Sequence, residues 1–167
     1  MFANVESKNG RVNIIDQPRP ESYFNLFDKN KTNKSLERVV LKTIAAFNNT
    51  DGGMLVIGVE DNGNILGLER DYESLSADRD RFEQHLLTLI SNEYSTGYTA
   101  KNILVKFHML NNHEICGIEI SKGEKELFTE VRDKNGQKTQ KFFVRRGNAS
   151  VEISNYSEVT NYIKERF

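Results

Sequence analysis

The run Asn49-Thr50-Asp51-Gly52-Gly53, set between a helical pattern and an unbroken apolar stretch, constrains this chain's architecture more than any other segment. Upstream, Leu36, Val39, Val40, Ile44 and Phe47 recur at three- and four-residue spacing, while Glu37, Arg38 and Lys42 fall elsewhere on the wheel. This pattern predicts an amphipathic helix over 34–48. The paired glycines end it, because glycine adopts the left-handed conformation that closes a helix without a Cβ clash. Met54 to Val59 follows with no polar interruption, so it reads as a buried strand, central in its sheet. Asp61-Asn62-Gly63-Asn64 then turns the chain back through Ile65 to Leu68, since Asn-Gly accepts positive φ at both central positions of a tight hairpin.

The remaining pattern is also mixed. Phe82, Leu86, Leu89 and Ile90 predict a second amphipathic helix over 78–92. Ile103, Val105, Phe107 and Met109 alternate, Leu110 to His113 turns, and Cys116, Ile118 and Ile120 alternate again, which makes an antiparallel hairpin. A further hairpin runs from 127–131 through Asp133-Lys134-Asn135-Gly136 into 138–145. Asn155 with Glu158 three residues on marks the start of a short C-terminal helix carrying Val159, Tyr162 and Ile163. The expected class is α+β: one domain, with a mixed or antiparallel sheet of about five to six strands and about three to four helices mainly on one side. Its boundaries are expected at 21–167, behind a loosely specified segment over 1–20.

At 167 residues the chain is long enough for one ordinary core, and it contains no internal repeat or linker-like tract. The single Cys116 cannot form an internal disulfide. No apolar run is long enough to span a bilayer, and no secretory signal opens the sequence, so a cytoplasmic protein without a membrane partner is expected. A formal net charge of −1 argues against avid, nonspecific DNA binding. Locally the balance shifts: between Lys122 and Asn148 stand eight basic residues against four acidic ones. His85, His108 and His113 show no zinc-like spacing with each other or with Cys116, and there is no serine-nucleophile motif.

The segment Ala45–Leu68, together with Phe142-Phe143-Val144-Arg145-Arg146-Gly147-Asn148-Ala149-Ser150, resembles the signature of the Schlafen AlbA_2 domain family, over roughly residues 21 to 165. The resemblance implies a nucleic-acid-binding module, for RNA or single-stranded DNA, of bacterial regulators or defence proteins. It also implies that a single-lobed chain pairs as a homodimer and that such a module stands within a larger protein. Nuclease relatives hold a divalent cation, Mg²⁺ or Mn²⁺, on three carboxylates that polarise a phosphate and activate water. Glu21, in the pair Glu21-Ser22, matches the first position and Asp61 the third, which makes these two the candidate metal ligands. Leu26 stands at the second and cannot ligate; Asp28, two residues on and on the same face of an extended segment, is the candidate substitute. A non-catalytic binder that needs no cofactor is therefore the leading expectation. A degenerate metal ribonuclease and a protein-interaction or ligand-sensing module are the alternatives.

For binding, Lys138, Lys141, Arg145 and Arg146 are the candidate phosphate contacts, with an exposed Phe142 or Phe143 stacking on a base. A solvated basic strand edge explains the same residues structurally. Asn49 and Thr50 are candidates through the turn, which either presents N–H groups to a phosphate or serves as a conformational stop. Asp61 likewise is either a ligand or a turn former beside Asn62-Gly63.

Overall fold

Three short strands precede the first helix: β1 (Val12–Ile14), β2 (Phe27–Asp28) and β3 (Lys31–Thr32). The computed structural model describes their backbone, and residues 34–60, 62–74, 78–132 and 136–167 in full. β1 lies within the segment expected to be loosely specified, where it pairs in parallel with the strand after the Gly-Gly turn. Helix α1 (Lys34–Asn48) runs through that turn into β4 (Gly53–Ile57), as the spacing predicts. Nine of the fifteen α1 residues are buried, and toward its C-terminal end burial goes all the way round, from Thr43 to Asn48. Such a helix is enclosed between layers.

Beyond β4 the Asn-Gly turn closes through Gly63 N–H to Glu60 O at 2.8 Å and Asn64 N–H to Asn62 Oδ1 at 2.8 Å. The return is a single bridge, Val59 to Ile65, rather than a strand pair. Then come α2 (Glu69–Ser74), α3 (Arg79–Tyr94) and α4 (Thr96–Asn102). α3 begins where Asp78 accepts the Arg81 N–H at 3.1 Å. α2 and α4, of six and seven residues, are too short to display an apolar period, and the sequence pattern does not predict them. β5 (Ile103–Leu110) and β6 (His113–Ile120) form the predicted hairpin, turned by Asn111 and Asn112 at φ of 49° and 65°. β7 (Phe128–Arg132), β8 (Lys138–Arg146) and β9 (Ala149–Ile153) make a meander, and α5 (Tyr156–Arg166) closes the chain. Asn155 caps α5 by accepting from Ser157 and Glu158 N–H.

The α+β class holds, while the strands divide between sheets. Four strands follow the order β1-β4-β6-β5, three the order β7-β8-β9, and β2 pairs with β3. α1 separates the two larger sheets. Its Val40, Leu41, Ile44 and Phe47 join Leu55 and Ile57 of β4, Cys116, Ile118 and Ile120 of β6, and Phe82, Leu86 and Ile90 of α3 in the main core. The C-terminal end of α1 meets β8 through side-chain bonds from the turn that follows it. Met54, Val56 and Ile115 are buried on the opposite face of the four-stranded sheet, which explains why β4 reads as a continuous apolar run. Cys116 is wholly buried, and burial pushes its thiol well above the ordinary range, so it is a small hydrophobe rather than a nucleophile. Among the described residues no helix is long and apolar enough to cross a membrane.

Candidate nucleic-acid interface

The Asn49 turn and the β8 segment, far apart in sequence, form one joint. Asn49, fully buried, donates its amide N–H groups to Leu127 O at 2.8 Å and Phe143 O at 2.9 Å, and its Oδ1 accepts the Leu127 N–H at 2.8 Å. Thr50 Oγ1 donates to Ala46 O at 2.8 Å and accepts the Arg145 N–H at 2.9 Å. The Arg145 guanidinium lies 4.8 Å above the Phe47 ring and donates to Ser150 Oγ at 3.0 Å. The same ring rests against Gly53, where a Cβ would come within 2.4 Å of it. Asn49 and Thr50 thus have their side chains engaged with the fold, holding β8 and the start of β7 to the end of α1.

α1 has no basic residue in its last turn, and its terminal carbonyls are met from the far end of the chain. Arg166 of α5 donates from Nε to Thr50 O at 3.0 Å and from Nη2 to Thr50 O, and it reaches Asn48 O at 3.5 Å and Gly123 O at 3.4 Å. Tyr162 donates to Asn49 O at 2.8 Å. A cation at a helix C-terminus is favourable, and hydrogen bonds from a charged donor are the stronger kind. Replacing Arg166 by Ala is expected to cost about 2 kcal/mol, the range for a partly buried charged hydrogen bond, read as a lower urea midpoint with unchanged slope.

The four predicted cations do not share a face. Alternation along β8 sets Lys138, Phe142 and Arg146 toward one side, and Lys141, Phe143 and Arg145 toward the other. Phe142 packs against Tyr162 of α5, and Phe143 lies beneath Lys42 of α1, whose ammonium is 5.7 Å from the ring centre. Both phenylalanines are buried, so neither is the exposed stacking aromatic that the sequence suggests. Lys138 pairs with Glu130 at 3.0 Å and Lys141 with Glu152 at 2.8 Å. Arg146 is exposed at the β8–β9 turn. The margin where α1 meets β8 therefore carries Lys42, Lys141 and Arg145, with Glu152 the carboxylate paired to Lys141. Lys42 is absent from the candidates that the sequence yields, because nothing local signals that β8 passes beneath that helix face.

Of the carboxylate set, Glu21, Leu26 and Asp61 lie outside the described residues. Asp28 ends β2, in register with Lys31 of β3. Among the described residues no three His, Cys, Asp or Glu side chains converge as a metal-ligand group. His85 pairs with the Glu37 carboxylate at 2.8 Å and His113 with that of Glu69 at 3.0 Å.

The family model of the Schlafen AlbA_2 domain matches residues 23–154. No curated protein matches the chain. Among solved structures, the crystal structure of the DIP2311 protein from Corynebacterium diphtheriae superposes with a TM-score of 0.53 over 90% of this chain, at 16% sequence identity. That similarity is one of fold, and the matched region is 28% of the longer DIP2311 chain.

Proposed function

The chain belongs to the Schlafen AlbA_2 family, and we propose that it acts there as a non-catalytic module that binds RNA or single-stranded DNA. The observation that carries this reading is the cationic margin between α1 and β8, where Lys42, Lys141 and Arg145 gather from two elements around two buried aromatic rings. Phosphates bind such a rim because each lysine or arginine contact releases condensed counterions from the nucleic acid. Among the described residues Lys42 has no carboxylate partner and Lys141 has one, Glu152, so the rim of Lys42, Lys141 and Arg145 keeps an excess of positive charge. Arg145 supports the rim by its own packing on Phe47 and its bond to Ser150. The non-catalytic half of the reading rests on Leu26, which occupies a position where the family's nucleases need a metal-binding glutamate.

Fluorescence anisotropy with labelled single-stranded RNA and DNA, run from low to moderate salt without added metal, tests the proposal. The expected result is binding that weakens steeply with salt. The double variant Lys42→Ala/Lys141→Ala is expected to lose about tenfold in affinity at low salt and to reduce the salt slope by about two, one for each lost phosphate contact. An unchanged slope removes these two residues from the interface. No binding by the parent chain at low salt overturns the reading in favour of a protein-interaction or sensing module. Cleavage of the RNA on addition of Mn²⁺ overturns its non-catalytic half.

A further inference from the structure

We propose that the chain forms a twofold dimer in which β5 pairs antiparallel with β5 of a second copy, joining the two four-stranded sheets into one of eight. The proposal is independent of the nucleic-acid reading. β5 is the last strand of its sheet and pairs with β6 through all eight of its residues, so its outer row of N–H and C=O groups has no strand alongside among the described residues. An unpaired edge of this length is a template for another chain unless it is guarded.

The other edges of the larger sheets are guarded or short. At β7, the Glu93 carboxylate of α3 accepts the outward Glu130 N–H at 2.6 Å. β9 has five residues and β1 three. β5 has eight, spanning about 26 Å at the usual rise per residue, and it contains no proline, glycine or bulge. Its lysine, which would ordinarily keep an edge apart, is drawn back across the sheet to Glu119 of β6 at 2.7 Å. Leu104 and Met109 are meanwhile 51% and 64% exposed.

The occupant is argued from the strand's own pattern. In an antiparallel pair, opposed residues point to the same face, so a twofold axis must pass through one residue and its copy. With the axis on Phe107, Val105 opposes Met109 of the second copy and Leu104 opposes its Leu110, apolar against apolar on both faces, while Lys106 opposes His108. Moving the axis to Lys106 sets two lysines against each other. Moving it to Val105 or His108 carries three residues at one end of β5 beyond its partner, opposite α4 or the Asn111-Asn112 turn and the start of β6, against only Ile103 in the Phe107 register. Charge and length together select the Phe107 register, and a strand that complements itself this well fits a second copy of this chain.

Light scattering across the micromolar range is expected to return twice the mass of one chain. The double variant L104K/M109K, altered at two exposed positions and checked for fold by circular dichroism, is expected to return the mass of one. A second variant, K106C/H108C, places opposed thiols across the axis, and mild oxidation is expected to give a covalent dimer to which the buried Cys116 does not contribute. A parent chain of single mass throughout the range overturns the proposal, including the case in which β5 takes a strand from some other protein. A dimer that survives L104K/M109K, or one that K106C/H108C fails to cross-link, also overturns it.

Discussion

Asn49→Asp is expected to destabilise the chain by about 4 kcal/mol, a large part of the roughly 5–15 kcal/mol that holds a domain of this size together. The asparagine is fully buried, and both halves of its amide are engaged. Nδ2 donates to Leu127 O and Phe143 O, while Oδ1 accepts from Leu127 N–H. Aspartate keeps the acceptor and removes both donors. Two buried carbonyls then face a carboxylate oxygen, and each group left unpaired costs about 1–3 kcal/mol. The introduced carboxyl also enters a dry site, which favours its neutral form and raises its pKa above the unfolded value. The folded variant therefore binds the proton more tightly than the unfolded chain does. Its stability must rise as pH falls, and the gap to the parent narrows below neutrality as the neutral acid regains one donor. Urea unfolding at two pH values measures this. Asn49→Ala, which leaves the same partners unpaired without a charge, is expected to cost about 3 kcal/mol with no such pH dependence. If Asn49→Asp instead matches the parent, the amide is not what fastens the β7–β9 meander to α1.

That role cannot be read from the sequence, and the reason is physical. A residue's local conformation is set by its neighbours, so the helix end at Asn48, the Gly-Gly turn, the Asn155 cap and the Asn111-Asn112 hairpin are all legible. The partners of Asn49 stand 78 and 94 residues away, and only the packed fold brings them to it. Asn49 and Thr50 carry a polar pattern equally suited to a phosphate or to a backbone staple. The cations mislead for a related reason: counting Lys138, Lys141, Arg145 and Arg146 along β8 gives a basic strand. Alternation and the cross-strand carboxylates Glu130 and Glu152 split it into two faces and partly neutralise it. Lys42 joins the rim because α1 lies against β8, a contact that no periodicity encodes. α2 and α4 are too short to show a period, and β9 alternates Ala149, Val151 and Ile153 with Ser150 and Glu152 over only five residues, directly after the Gly147 turn, so it is easily passed over.

Gly52→Ala is expected to cost at least about 3 kcal/mol, the sum of a left-handed conformation for a residue with a Cβ and a collision with backbone. Gly52 has φ of +73°, and a Cβ built there would sit 2.6 Å from Ile120 O and 2.7 Å from Lys122 N. Neither atom belongs to a side chain that can swing aside. Ile120 pairs in register with Gly53, so relief means parting the start of β4 from the end of β6. Gly147 supplies the control: its φ is +63°, yet a Cβ there meets nothing within 4 Å. Gly147→Ala is therefore expected to show the conformational part alone, about 1 kcal/mol. The difference between the two urea midpoints isolates the close approach. It also bears on binding, because Gly52 N–H bonds to Phe47 O at 2.8 Å and the Phe47 ring carries the Arg145 guanidinium. A Gly52→Ala protein that still folds should consequently bind nucleic acid less well than Gly147→Ala at equal fraction folded. Equal stability losses for the two variants would mean that the turn needs glycine for its dihedral angles alone, and that the contact with β6 adds nothing.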